Sequence, residues 1–79
     1  MTKIKIRLDT ITDAQELVRI ASRFPGAVTI TDGSGLRVSA KSLMGALYSL
    51  EFSQLWLEMD GDHFMAFSKF EVGEEIINE

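Results

Sequence analysis

The feature that most limits how this chain folds is an apolar stripe closed by its only proline. Ala14, Leu17, Val18 and Ala21 recur at i, i+3, i+4 and i+7, with Ile20 and Phe24 beside them. Residues so spaced share one face of an α-helix, and a helix with a single apolar face must lay it on a second layer. Pro25-Gly26 stops the helix, because proline lacks an N–H and its ring clashes with the preceding turn. At the other end, Thr12 with Gln15 three residues on fits a capping box, and Asp13 suits the positive end of a helix. The helix is therefore expected to begin near Thr12 or Asp13.

The second layer is a set of strands. Lys3 to Leu8 alternates polar and apolar, placing Ile4, Ile6 and Leu8 on one face. Ala27 to Asp32 follows the helix, with Val28 and Ile30 inward. Asp32-Gly33-Ser34-Gly35 then makes a hairpin turn. It is no phosphate loop, since it lacks the lysine and the following helix. Leu36 to Ala40 is the third strand, with Leu36 and Val38 inward. A second helix runs from about Leu43 to Leu50, and Ser42 is its N-cap. Leu43, Ala46, Leu47 and Leu50 form its core stripe, while Met44 and Tyr48 lie beside it. Glu51 to Gln54 leads to a fourth strand, Leu55 to Asp60. Its Leu55, Leu57 and Met59 share one face, and Trp56 and Glu58 the other. Trp56 there either covers the open sheet face or marks a dimer contact.

The last segment reads two ways. Phe64, Phe67 and Phe70 recur every third residue, with Ala66 between them, which favours a helix over His63 to Val72. The same aromatic content suits a strand. Gly61-Asp62 is a turn before it, and Gly73 breaks or caps it. The tail EEIINE is acidic and either frays or docks through Ile76 and Ile77. Polar-out, apolar-in strands alternating with amphipathic helices predict an α+β fold. In it an antiparallel sheet has one face covered by helices, in a single domain over 1–79.

Charge and composition exclude several functions. A net charge of −4 with scattered basic residues argues against nucleic acid. With no cysteine there is no disulfide, thiolate metal site or thiol nucleophile. No run approaches a membrane span, and MTKIKIRLD is too charged for a signal peptide, so a cytoplasmic protein is expected. Glu58, Asp60 and Asp62 cluster near a turn, but their spacing does not match an EF-hand loop. They read as solvated, and no metal or cofactor is expected. His63, the only histidine, reads as a solvent-facing residue in the first turn of the last helix.

Two segments resemble a known family. Ala40 to Leu50, AKSLMGALYSL, resembles the second-helix segment of HPr, the small phosphocarrier of the bacterial sugar phosphotransferase system. Leu17 to Gly35, LVRIASRFPGAVTITDGSG, resembles that family's first helix, second strand and hairpin turn. The resemblance implies a βαββαβα open-faced sandwich, four antiparallel strands with three helices on one face. It implies that Ser42 stands where Gram-positive members carry the regulatory serine phosphorylated by HPr kinase/phosphorylase. It also implies a partner-binding surface from Leu43, Met44, Leu47 and Tyr48, where members dock that kinase and a catabolite repressor.

The phosphoacceptor signature of the family, of the type Gly-Leu-His-x-Arg-Pro-Ala, is not kept. The corresponding segment is Leu8 to Ala14, LDTITDA, with Thr10 at the histidine position, Thr12 at the arginine position and Asp13 at the proline position. No histidine or arginine lies between Leu8 and Val18. A hydroxyl with no adjacent base does not replace an imidazole nucleophile. The expectation is a non-enzymatic regulatory relative, similar to catabolite-repression HPr, with no catalytic residue and no cofactor. Its partners would be proteins: the kinase, a repressor or a metabolic enzyme, or a second copy of the chain. Neither membrane nor direct nucleic-acid binding is expected. The alternatives are a phosphocarrier using a non-standard residue, and a structural or dimerisation module that retains only the fold.

Overall fold

The structure, a computed structural model, describes residues 2–61 and 64–78. The order is β1 (Thr2–Ile6), α1 (Ile11–Ala21), β2 (Val28–Thr31), β3 (Arg37–Ser39), α2 (Leu43–Ser49), β4 (Leu55–Met59), a 3₁₀ helix (Phe64–Phe70) and β5 (Glu71–Asn78). The strands form one five-stranded sheet in the order β3-β2-β4-β1-β5, and every pairing is antiparallel.

Period-two alternation in the strands decides what is buried. Ile4 and Ile6 of β1, Val28 and Ile30 of β2, and Leu55, Leu57 and Met59 of β4 enter one core. There they meet Ala14, Leu17 and Ala21 of α1, Ala46 of α2, and Phe64, Phe67 and Phe70 of the 3₁₀ helix. Phe24, just past α1, leans on Phe67 with ring centroids 5.8 Å apart. Leu8 is buried as expected, although the strand itself ends at Ile6.

Several expectations are corrected. α1 starts at Ile11, one to two residues early, and its cap is Thr10. The Thr10 hydroxyl accepts from the Asp13 N–H at 3.1 Å. The Asp13 carboxylate accepts from the N–H groups of Thr10 at 3.2 Å and Asp9 at 2.9 Å. This frame uses the short Asp13 carboxylate to satisfy two backbone donors, so it wins over the Thr12–Gln15 frame.

The sheet has five strands, not four, because the ambiguous segment holds two elements. A repeat of three is the period of a 3₁₀ helix, which has 3.0 residues per turn and stacks i and i+3. Phe64, Phe67 and Phe70 form that row, and all three are buried. The chain then turns into β5 along the outer edge of β1, pairing Ile4 with Ile76 and Thr2 with Asn78. Without it β1 would expose a full row of backbone donors and acceptors. The register slips between Ile4 and Ile6. The Arg7 N–H closes the end of the ladder on the Phe70 carbonyl at 2.8 Å.

Leu36, expected inward, is 47% exposed. It belongs to the hairpin turn: its N–H donates to the Asp32 carboxylate at 3.1 Å, and its carbonyl accepts from the Asp32 N–H at 3.3 Å. Glu58, expected in a solvated cluster, is 2% exposed. It lies on the sheet face opposite the core, paired with Arg37 and with Lys3 at 3.6 Å. Asp60 is exposed. Asp62 and His63 lie outside the described residues.

Candidate functional site

The surface around Ser42 is built by α2. Ser42 is exposed and caps the helix, its hydroxyl accepting from the Gly45 N–H at 3.2 Å. Its own N–H donates to the Ser39 carbonyl at 3.2 Å, which ties the cap to β3. Gly45 makes this possible: a Cβ there would stand 2.9 Å from the Ser39 carbonyl oxygen and 3.2 Å from the Val38 Cβ. The helix therefore sits on the sheet through small residues, and its buried members are Ala46 and Ser49. The Ser49 hydroxyl is satisfied on the Ala46 carbonyl at 2.6 Å.

That close approach turns the larger side chains outward. Leu43, expected on the core stripe, is 43% exposed, while Leu47 and Leu50 pack partly buried at the core margin. Met44 is 83% and Tyr48 54% exposed. The Tyr48 ring meets the edge of Phe52 at 5.6 Å and 83°. Leu43, Met44 and Tyr48 thus form an apolar surface beside Ser42, with Leu47 at its inner margin. The Lys41 ammonium donates to the Phe24 carbonyl across the α1–β2 loop.

At the N-terminus of α1, Thr10 and Thr12 are exposed. The Thr10 hydroxyl is engaged as the cap acceptor. Next to it, a cleft of about 520 Å³ is lined by Arg7, Asp9, Asp13, Lys69, Phe70, Glu71 and Val72. The fold therefore brings two cations, Arg7 and Lys69, to a place where the sequence reading found none. Each already faces a carboxylate: Arg7 lies 3.6 Å from Asp9, and Lys69 pairs with Glu16. Lys69 also sits over the Phe70 ring at 5.7 Å. Arg7 is one residue outside the segment compared with the family signature, and Lys69 arrives from the far end of the 3₁₀ helix. The chain order carries no signal for the second.

The Asp32 carboxyl is held below the usual aspartate value. The Ser34 N–H is the main cause, followed by the Ser34 hydroxyl, with the N–H groups of Leu36 and Gly35 adding to it. This is an Asx-type turn, and it organises the hairpin. Among the described residues, no three His, Cys, Asp or Glu side chains are grouped to hold a metal ion, and no helix is long and apolar enough to cross a membrane. Compared with family models, curated proteins and solved structures, the chain finds no match in any of the three.

Proposed function

We propose that this chain is an HPr-like regulatory domain that docks a protein partner through the surface around Ser42 and does not transfer phosphoryl groups through histidine. The observation that carries the reading is the exposure of Leu43, Met44 and Tyr48 on the helix that Ser42 caps. Large apolar side chains gathered on one exposed surface mark a binding site, and a flexible thioether beside an aromatic ring adapts to a partner. A phosphate on Ser42 would add about two negative charges to the rim of that patch and change what docks there.

The family's open-faced sandwich belongs to this reading. Its support is that α1, α2 and the 3₁₀ helix all contribute to the core that holds Ile4, Ile30 and Leu57. The absence of transfer chemistry rests on Thr10 and Thr12. Thr10 spends its hydroxyl on the helix cap, and Asp9 and Asp13 set two carboxylates beside it. Among the described residues no base accepts from either hydroxyl, and an alcohol without such a base is a weak nucleophile. The protein is read as non-enzymatic and cytoplasmic, with a kinase, a repressor or a metabolic enzyme as its partner.

Intact mass after two separate incubations tests this. With phosphoenolpyruvate and the first enzyme of the phosphotransferase system, no acid-labile phosphate is expected. With ATP and a bifunctional HPr kinase, one phosphate is expected, and Ser42→Ala should abolish it. A gain in the first incubation would make the chain a phosphocarrier through a non-standard residue. No gain in the second, or one that survives Ser42→Ala, would leave a structural module that keeps only the fold.

A further inference from the structure

Sulfur enters this chain only as methionine: there is no cysteine, and the four methionines are Met1, Met44, Met59 and Met65. Met1 lies outside the described residues. The other three stand in very different surroundings. Met59 is 3% exposed, on the inward face of β4. Met44 is 83% and Met65 90% exposed. A thioether needs only solvent contact to meet a dissolved oxidant, so exposure sorts the three. Met65 belongs to the 3₁₀ helix but lies off its buried row of Phe64, Phe67 and Phe70. Met44 belongs to the surface beside Ser42, next to Leu43 and one helical turn before Tyr48.

The makeup of that surface gives the sulfur its weight. From Ser42 to Leu50 the chain has no Asp, Glu, Lys or Arg. A partner seated on α2 is therefore held there by apolar contact, with no charge on the helix to offset a loss. Oxidation turns a flexible apolar side chain into a polar, chiral one. A sulfoxide oxygen pressed against an apolar partner without a hydrogen bond costs affinity.

We propose that Met44 is a reversible oxidation site for hydrogen peroxide or an organic hydroperoxide, and that its sulfoxide weakens docking at α2. The sulfur lone pair attacks the terminal peroxide oxygen, the O–O bond breaks and an S–O bond forms. The proton on the transferred oxygen passes to the leaving oxygen, which departs as water or an alcohol. The sulfur is oxidised by two electrons and the peroxide is reduced by two. Methionine sulfoxide reductases return the thioether, one enzyme for each sulfoxide epimer. The effect on docking rests on the partner-binding reading of this surface; the selective oxidation does not.

The test exposes the folded protein to hydrogen peroxide for a limited time and locates the added oxygen by peptide mass. Met44 and Met65 should be oxidised faster than Met59 by roughly tenfold or more, since the Met59 sulfur is reached only through opening of the fold. Met65→Leu and Met44→Leu, both at exposed positions, then keep one accessible sulfur each among the described residues, and Met1 is common to both. Hydrophobic-interaction chromatography reads the surface with no partner present. Oxidation should shorten the retention of Met65→Leu far more than that of Met44→Leu, because only the first gains its sulfoxide beside Leu43 and Tyr48. Phosphorylation of Ser42 by ATP and a bifunctional HPr kinase reads docking. Its kcat/KM should fall by roughly tenfold when Met65→Leu is oxidised and recover after both reductases, whereas oxidation should make no difference to Met44→Leu. Protection of Met44 equal to that of Met59, equal retention shifts in the two variants, or a kinase rate indifferent to the oxidation of Met44 would each overturn the proposal. A reduced protein that takes no phosphate from the kinase counts against the docking reading alone, and the oxidation rates and retention shifts then decide the site.

Discussion

Gly45→Ala isolates the contact that sets α2 on the sheet. Two effects oppose each other. In a helix interior alanine is favoured over glycine by about 1 kcal/mol. Against that, the new methyl would lie 2.9 Å from the Ser39 carbonyl oxygen, 3.2 Å from the Val38 Cβ and 3.5 Å from the Ser39 nitrogen. Two of these three are backbone atoms, and they cannot swing aside. Ser39 is held in register with Thr29, and its carbonyl accepts from the Ser42 N–H. Overpacking of this kind costs about 1–3 kcal/mol. The overpacking term should win, leaving a net loss of up to about 2 kcal/mol, which corresponds to a melting-point drop of up to roughly 16 °C in a domain of this size. Gly26→Ala is the control: its Cβ would meet nothing within 4 Å, so the change should fall within about 0.5 kcal/mol of neutral. Urea unfolding of both variants measures the difference, with an unchanged m-value guarding against altered denatured states. If Gly45→Ala were as stable as the parent or more so, the close seating of α2 on β3 would be wrong. The explanation given for the exposure of Leu43 would fall with it.

Four other outcomes follow from the packing and the charges. Leu17→Ala, at a fully buried position, should cost about 2–5 kcal/mol in the same melts, whereas Met44→Ala should stay within about 0.5 kcal/mol. Equal costs would put Met44 in the core and remove the docking surface. Glu58→Ala should destabilise by about 1–3 kcal/mol, less than a fully buried ion pair, because the Arg37 partner is largely exposed. The Asp32 carboxylate has a lowered pKa in the folded state, mainly through the Ser34 N–H, so its contribution is present above the ordinary aspartate range. That contribution should disappear as pH falls through the lowered value, and Asp32→Asn should narrow the gap to the parent at the acid end of a pH series of melts. Amide exchange at the β1 N–H groups that face β5 should be fast in a chain shortened after Phe70, while those that face β4 keep their partners.

What the sequence revealed and what it hid divides along local and distant contacts. The α1 stripe, the Ser42 cap and the inward faces of β1, β2 and β4 depend on spacing within one element, and each was legible. The cap of α1 was displaced by two residues because Thr10–Asp13 and Thr12–Gln15 offer competing frames. Only the backbone donors at Asp9 and Thr10 decide between them. The Phe64, Phe67, Phe70 period was visible, but its three-residue repeat is that of a 3₁₀ helix rather than an α-helix. β5 was missed because Glu71 to Asn78 has no clean alternation, and its place is fixed by the open edge of β1. The burial of Glu58 was hidden for the same reason: Arg37 and Lys3 reach it from two other strands. Lys69 near the N-terminus of α1 is likewise a product of the tertiary arrangement.

The position of β1 has a consequence for synthesis. β1 takes both its neighbours, β4 and β5, from a stretch that follows both α-helices in the chain. Until that stretch has left the ribosome, neither edge of β1 has a partner, and its alternating isoleucines face no completed core. The hairpin of β2 and β3 and the two α-helices can form locally, but the sheet cannot assemble around its inner strand. Assembly of the sheet should therefore wait for β4 and β5 and be slowed by long-range pairing. A nascent or prematurely terminated chain would carry a bare, two-sided strand suited to chaperone capture or to pairing with another copy.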